Sequence, residues 1–135
     1  MADVTVVPAN VRPLTGAQIQ RFTAGEAMTP GQPVYISGND TVSLTDGSAL
    51  LGAACIGVVV SCPNGALTCT TGQEVDVCVF GPVTGYSTNM VAGSRFYVDD
   101  DPGIIADAVG TKVCLIGIGK NATTLFVTPN VVTVA

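Results

Sequence analysis

Apolar and polar positions along this chain alternate in short runs, and glycine or proline interrupts them about every 8 to 12 residues, the spacing of β-sandwiches and β-barrels. The cleanest alternation, Thr41-Val42-Ser43-Leu44-Thr45, predicts a strand with one buried face. It follows a predicted strand over Gln32 to Ser37 and a Gly38-Asn39-Asp40 turn. Glu74 to Phe80 alternates again, with Val75, Val77 and Val79 on one face, and Gly81-Pro82 and Gly85 are expected to close it. Cys55 to Ser61 is continuously apolar, as in a strand covered on both faces. Further strands are expected over Asp3 to Val7, stopped by Pro8, over Arg95 to Val98, and over Val131 to Val134. Lys112 to Ile118 and Thr124 to Thr128 read as a hairpin. Asp46-Gly47 marks a turn, and Asp101-Pro102-Gly103 fits a type II turn.

Helical periodicity is nearly absent. Thr15 to Phe22 is open to two readings, a turn or two of helix capped by Thr15 or an extended segment. One internal echo stands out. Met28, Gly31 and Tyr35 match Met90, Gly93 and Tyr97, and each set leads on to an Ile-Gly pair, Ile56-Gly57 and Ile116-Gly117. Two similar β-halves are implied. So many short strands expose edges that barrel closure or burial in an oligomer must protect.

With 135 residues the chain suits a single domain, divided here into an N-terminal arm over 1–14 and one β domain over 15–135. Charged residues make up 11% of it, against about 25% in average soluble proteins. The surface must be built from small uncharged residues, which suits a protein covered by partners. Net charge is −5, and the five basic residues, Arg12, Arg21, Arg95, Lys112 and Lys120, are scattered. Nucleic-acid binding needs a clustered basic footprint, and anionic membranes need positive charge, so neither is expected as a partner. The longest apolar stretch, Ala49 to Val60, is 12 residues, short of the roughly 18 to 20 that span a bilayer. With no basic leader, synthesis in a cytoplasm is expected.

Candidate chemistry is sparse. The chain has no His, which removes the commonest general base and metal ligand. Glu26 and Glu74 belong to no recognisable pair. Asp99-Asp100-Asp101 is the one acidic cluster, without the spacing of an EF-hand, and reads as a solvated turn. Of five cysteines, Cys55, Cys78 and Cys114 sit in apolar runs as buried free thiols. Cys62 and Cys69 flank a Pro63-Asn64-Gly65 loop and can pair in an oxidising environment. No catalytic, cofactor or metal residues are assigned, and no enzyme activity is expected.

Several runs together resemble a known family. They are Val11-Arg12-Pro13-Leu14-Thr15-Gly16-Ala17, Arg21-Phe22-Thr23-Ala24-Gly25, Gly31-Gln32-Pro33-Val34-Tyr35-Ile36, Ile56-Gly57-Val58-Val59-Val60, Gly72-Gln73-Glu74-Val75-Asp76-Val77, Phe80-Gly81-Pro82-Val83-Thr84-Gly85 and Ala122-Thr123-Thr124-Leu125-Phe126-Val127-Thr128-Pro129. This set, spanning Val11 to Pro129, is similar to the capsid decoration, or cement, proteins of tailed bacteriophages. The resemblance implies a small β-barrel or β-tripod-like domain. It also implies a homotrimer on the outer surface of an icosahedral head, bound to the major capsid protein. The virion is then the expected location, after assembly in the host cytoplasm. No cofactor comes with the family. The Pro-rich start resembles a semi-extended arm, and Val6, Val7, Pro8, Asn10, Val11 and Arg12 are the expected capsid or subunit contacts; a frayed terminus is the plainer reading. A fibre or tail adaptor, or a host-surface glycan-binding module with Tyr86 as its loop aromatic, stays open beside the cement reading.

Overall fold

The computed structural model describes residues 3 to 132, and they form an all-β protein. Ten strands follow one another: β1 (Arg12–Pro13), β2 (Gln18–Ala24), β3 (Pro33–Gly38), β4 (Thr41–Leu44), β5 (Cys55–Ser61), β6 (Glu74–Thr84), β7 (Arg95–Val98), β8 (Ile105–Ala106), β9 (Val113–Gly119) and β10 (Thr124–Val132). Two short 3₁₀ turns, Pro8–Asn10 and Pro63–Gly65, complete the inventory. The stretch over Thr15 to Phe22 resolves as strand, since Gln18–Ala24 pairs along β6. The expected strand over Val131 to Val134 is the end of β10 as far as Val132; Thr133 and Val134 lie outside the described residues. Pro129 falls between Val127 and Asn130, where the β9–β10 register shifts and a missing N–H is tolerated.

The pairings close on themselves. β2 pairs antiparallel with β6 and parallel with β4, β4 pairs with β3, β3 with β5, and β5 returns to β6. Inside this first ring lies one apolar core: Ala24, Met28, Val34, Val42, Val59, Cys62, Cys69, Val75 and Val77, with Val79 packed against it. The three valines of β6 thus share a face, as their alternation requires. β5 is covered on both sides. Val59 enters this core, while Val58 and Val60 enter a second one with Val83, Tyr86, Phe96, Val98, Ile105, Cys114, Ile116, Leu125 and Val127.

That second core is enclosed by the other half of the chain. β6 pairs with β10, β10 with β9, β9 with β7, and β7 with β8. β6 does not end at Gly81-Pro82 but bends there and changes partners, from β2 and β5 to β1 and β10. The Pro82 carbonyl accepts the Leu14 amide at 2.9 Å.

The repeat is structural as well as sequential. Val34 lies opposite Gly57, and Phe96 opposite Gly117; in both pairs the register shifts immediately before the tyrosine, Tyr35 or Tyr97. Both glycines are needed for close approach. A Cβ at Gly57 would overlap the Cys78 carbonyl, and one at Gly117 the Phe126 carbonyl. Met28 and Met90 occupy matching buried places, one in each core.

The N-terminal residues, expected as an arm, are extended in backbone but lie along their own chain. Val4 and Val11 are buried in the second core, with Val6 packed against it. Three valines offer too much apolar surface to leave in water when a sheet is within reach.

Candidate functional site

Four surfaces carry the residues from which function can be argued. The first is a groove of about 350 Å³ along the N-terminal segment, lined by Val7, Asn10 and Arg12 and by Thr84, Gly85, Tyr86, Ser87 and Thr123. Of the expected contact residues, Val7, Asn10 and Arg12 face this groove. Pro8 starts the 3₁₀ turn beside it. Val6 and Val11 point the other way, into the second core. Tyr86 is only 2% exposed, and its hydroxyl donates to the Gly31 carbonyl. It forms part of the floor and offers no free aromatic platform for a sugar.

A second cleft, about 520 Å³, lies beside the first ring, between Arg21, Ser61, Cys62, Pro63, Asn64, Gln73, Glu74 and Asp76. Its charges answer one another. Arg21 Nε donates to Asp76 Oδ1 at 3.1 Å and Nη1 to Glu74 Oε2 at 3.3 Å. Ser61 Oγ donates to Asp76 Oδ2 at 3.0 Å. The hydrogen bond to Asp76 holds the guanidinium pKa above its ordinary value, with the Asp76 and Glu74 charges adding to it. Cys62 contributes no thiol here, because its sulfur is bonded to Cys69. The chain therefore adopts the paired state that its sequence leaves open. Both partners sit in the first core, and Cys69 exchanges backbone hydrogen bonds with Met28.

The acidic turn is satisfied by protein. Asp99 Oδ1 accepts the Asp100 amide at 2.9 Å, and the Asp100 carboxylate takes both the amide and the hydroxyl of Thr111. Among the described residues, no group of three or more His, Cys, Asp or Glu is arranged to hold a metal ion. The Asp101-Pro102-Gly103 turn forms, with the Ile104 amide returning to the Asp101 carbonyl. Cys55, Cys78 and Cys114 are free and buried. Burial raises the pKa of each thiol, which keeps it protonated and poorly nucleophilic.

The last surface is apolar. Phe80 is 43% exposed and Ile118 37%. Phe126 stands between them, with its ring 5.2 Å from that of Phe80 at 82° and its backbone opposite Ile118. Gln18 flanks the strip beside Phe80, and Arg95 beside Ile118. Alternation carries only part of the signal for Phe80. Along β6 it shares the parity of Glu74 and Asp76, opposite to Val75, Val77 and Val79, but so does the buried Cys78, and the β2–β6 register shifts between Cys78 and Phe80.

Among the described residues no helix is long and apolar enough to cross a membrane. Against known proteins, the sequence matches no family model and no curated relative.

Proposed function

We propose that this chain is a structural virion protein, a capsid decoration or cement protein. It binds the outer surface of an icosahedral head as a homotrimer and stabilises contacts between major capsid proteins. The observation that carries this reading is the outward strip of Phe80, Phe126 and Ile118 on a scaffold whose two cores are already filled. Large apolar side chains left on a sheet face mark a place where another protein sits. The rest of the surface, drawn from a chain with 11% charged residues, suits contact with protein more than with nucleic acid or membrane. A ligand that binds the assembled shell and not free subunits stabilises the shell by mass action, and three copies of one patch add their weak contacts. In this reading the protein carries no enzyme activity.

The test is co-sedimentation of the purified protein with phage heads lacking it, followed by electron microscopy of the decorated particles. Saturable binding at symmetry-related positions, weakened at least about tenfold by Phe80→Ser with Ile118→Ser, is expected for loss of buried apolar area. Particles without density for this chain, or binding indifferent to those substitutions, would refute it.

A further inference from the structure

The first ring contains all of its own strands; the second does not. In the first, β2 runs along β6 on one side and β4 on the other. The repeat puts the far half of β6 in the corresponding role. Val83 lies opposite Leu125 of β10 just as Gln20 of β2 lies opposite Val77 of β6. Among the described residues, however, no strand of the second half lies between β6 and β8. The N-terminal segment fills that gap. Asp3 bridges to Ala106 of β8, and Val6 bridges to Tyr86 just past β6. The Val4 amide donates to the Ile105 carbonyl at 2.8 Å and the Val7 amide to the Gly85 carbonyl at 2.8 Å, while the Ser87 amide returns a bond to the Thr5 carbonyl at 2.9 Å.

Asp3 to Pro13 belongs to this seat. Val4 and Val11 anchor in the second core, and β1 pairs with the far half of β6, Arg12 opposite Thr84. From Gln18 the chain enters the first ring as β2. Between them lies the four-residue turn Leu14 to Ala17, closed by the Ala17 amide on the Leu14 carbonyl. Gly16 within it has φ +96, and the turn stays with the segment's own seat: the Leu14 amide donates to the Pro82 carbonyl, Gly81 lies against Gly16 and Ala17, and Ala17 packs on the second core, which places the joint between Ala17 and Gln18.

We propose that Asp3–Pro13 is an exchangeable strand. The channel between Gly85–Thr88 and Ile104–Ala106 accepts this segment from a second copy of the chain as well as from its own, and copies link by mutual donation. The recognition is that of strand addition, in which backbone hydrogen bonds give affinity and alternate side chains fill pockets. A second copy offers an identical seat, so the contacts are the same in either arrangement. A short hinge between the segment and the rest of the fold favours exchange between copies. This inference does not depend on the capsid reading; a swapped assembly of the free protein would stand even if no shell were bound.

The experiment uses the full chain carrying Thr5→Cys and Ser87→Cys, facing positions next to the Val6–Tyr86 bridge. Protein labelled with ¹⁵N and unlabelled protein are unfolded, mixed, refolded together and oxidised with a glutathione redox buffer. Peptides linked between positions 5 and 87 are then weighed by mass spectrometry. With exchange, links that join a labelled to an unlabelled peptide appear, rising to about half of the total when every seat is filled by another copy. Links that join only peptides of the same label, or no link between positions 5 and 87, would overturn the proposal.

Discussion

The hydroxyl of Tyr86 donates to the carbonyl of Gly31 across 3.0 Å, joining the second core to the loop that precedes β3. Neither partner has water to fall back on, as Tyr86 is 2% exposed. Burial also raises the pKa of the phenol, so it stays a donor across the accessible pH range. Tyr86→Phe should cost about 1–2 kcal/mol, the value of a buried hydrogen bond whose acceptor is left unpaired. Urea denaturation of both proteins would measure it, with an unchanged slope showing that the fold is kept.

Cys62 and Cys69 are bonded across a separation of 7 residues. Closing so short a loop restrains the unfolded chain, and reduction should lower stability by about 2–3 kcal/mol. Cys62→Ser with Cys69→Ser should start at the lower value and ignore reductant. Thiol titration offers a second check. Cys55, Cys78 and Cys114 should not react in the native protein, and all three should react once it is unfolded without reductant.

Gly57 and Gly117 each leave room for a neighbouring carbonyl that a methyl group would occupy. Alanine at either position should cost about 3 kcal/mol or more, or prevent folding, because backbone on both sides must separate. Gly38 provides the contrast, since the nearest atom to its Cβ position is 3.7 Å away. Gly38→Ala should change stability by no more than about 1 kcal/mol. Parallel thermal melts of the three variants would rank them.

Burial raises the pKa of Asp99, and the charges of Asp3, Asp101 and Asp100 push it further in that direction. An acid whose pKa is raised by folding ionises more readily in the unfolded chain. Below the unfolded pKa the carboxyl is neutral in both states and costs nothing. As pH rises through the raised native value, stability is lost, and the penalty then stays constant. Asp99→Asn removes the charge and keeps the oxygen that accepts the Asp100 amide. It should stabilise the protein at neutral pH and lose that advantage at about pH 3, below the ordinary carboxylate range. Denaturant midpoints at the two pH values would show the crossover. Asp46 works in the opposite sense: hydrogen bonds from the Ser48 hydroxyl and amide hold its pKa below the usual value, so its contribution fades on acidification.

Much of this architecture was legible in the sequence, for a local reason. Alternation fixes which face of a strand is wet, so Val75, Val77 and Val79 could be assigned together, and a run without polar residues marks cover on both faces, as at Val58 and Val59. The repeat was visible because the Ile-Gly pairs answer a steric demand that recurs in each half. Long-range choices were not legible. Nothing local tells Val4 that Ile105 is its neighbour, or tells β6 to serve two sets of partners across Gly81-Pro82. Tyr86 looked like a loop aromatic because Gly85 and Ser87 flank it, whereas its burial depends on Gly31, far away in the chain. The pairing of Cys62 with Cys69 depends on Met28 holding Cys69 in place, again a distant partner.

β6 has a consequence for how such a chain can change over evolutionary time. One strand walls both halves, so a recombination break on either side of β6 would strip one half of its wall. A gene fragment carrying the second repeat without β6 would encode an open sheet rather than a smaller version of the protein. Variation is then confined to point substitutions and loop lengths, and the two halves must be inherited together.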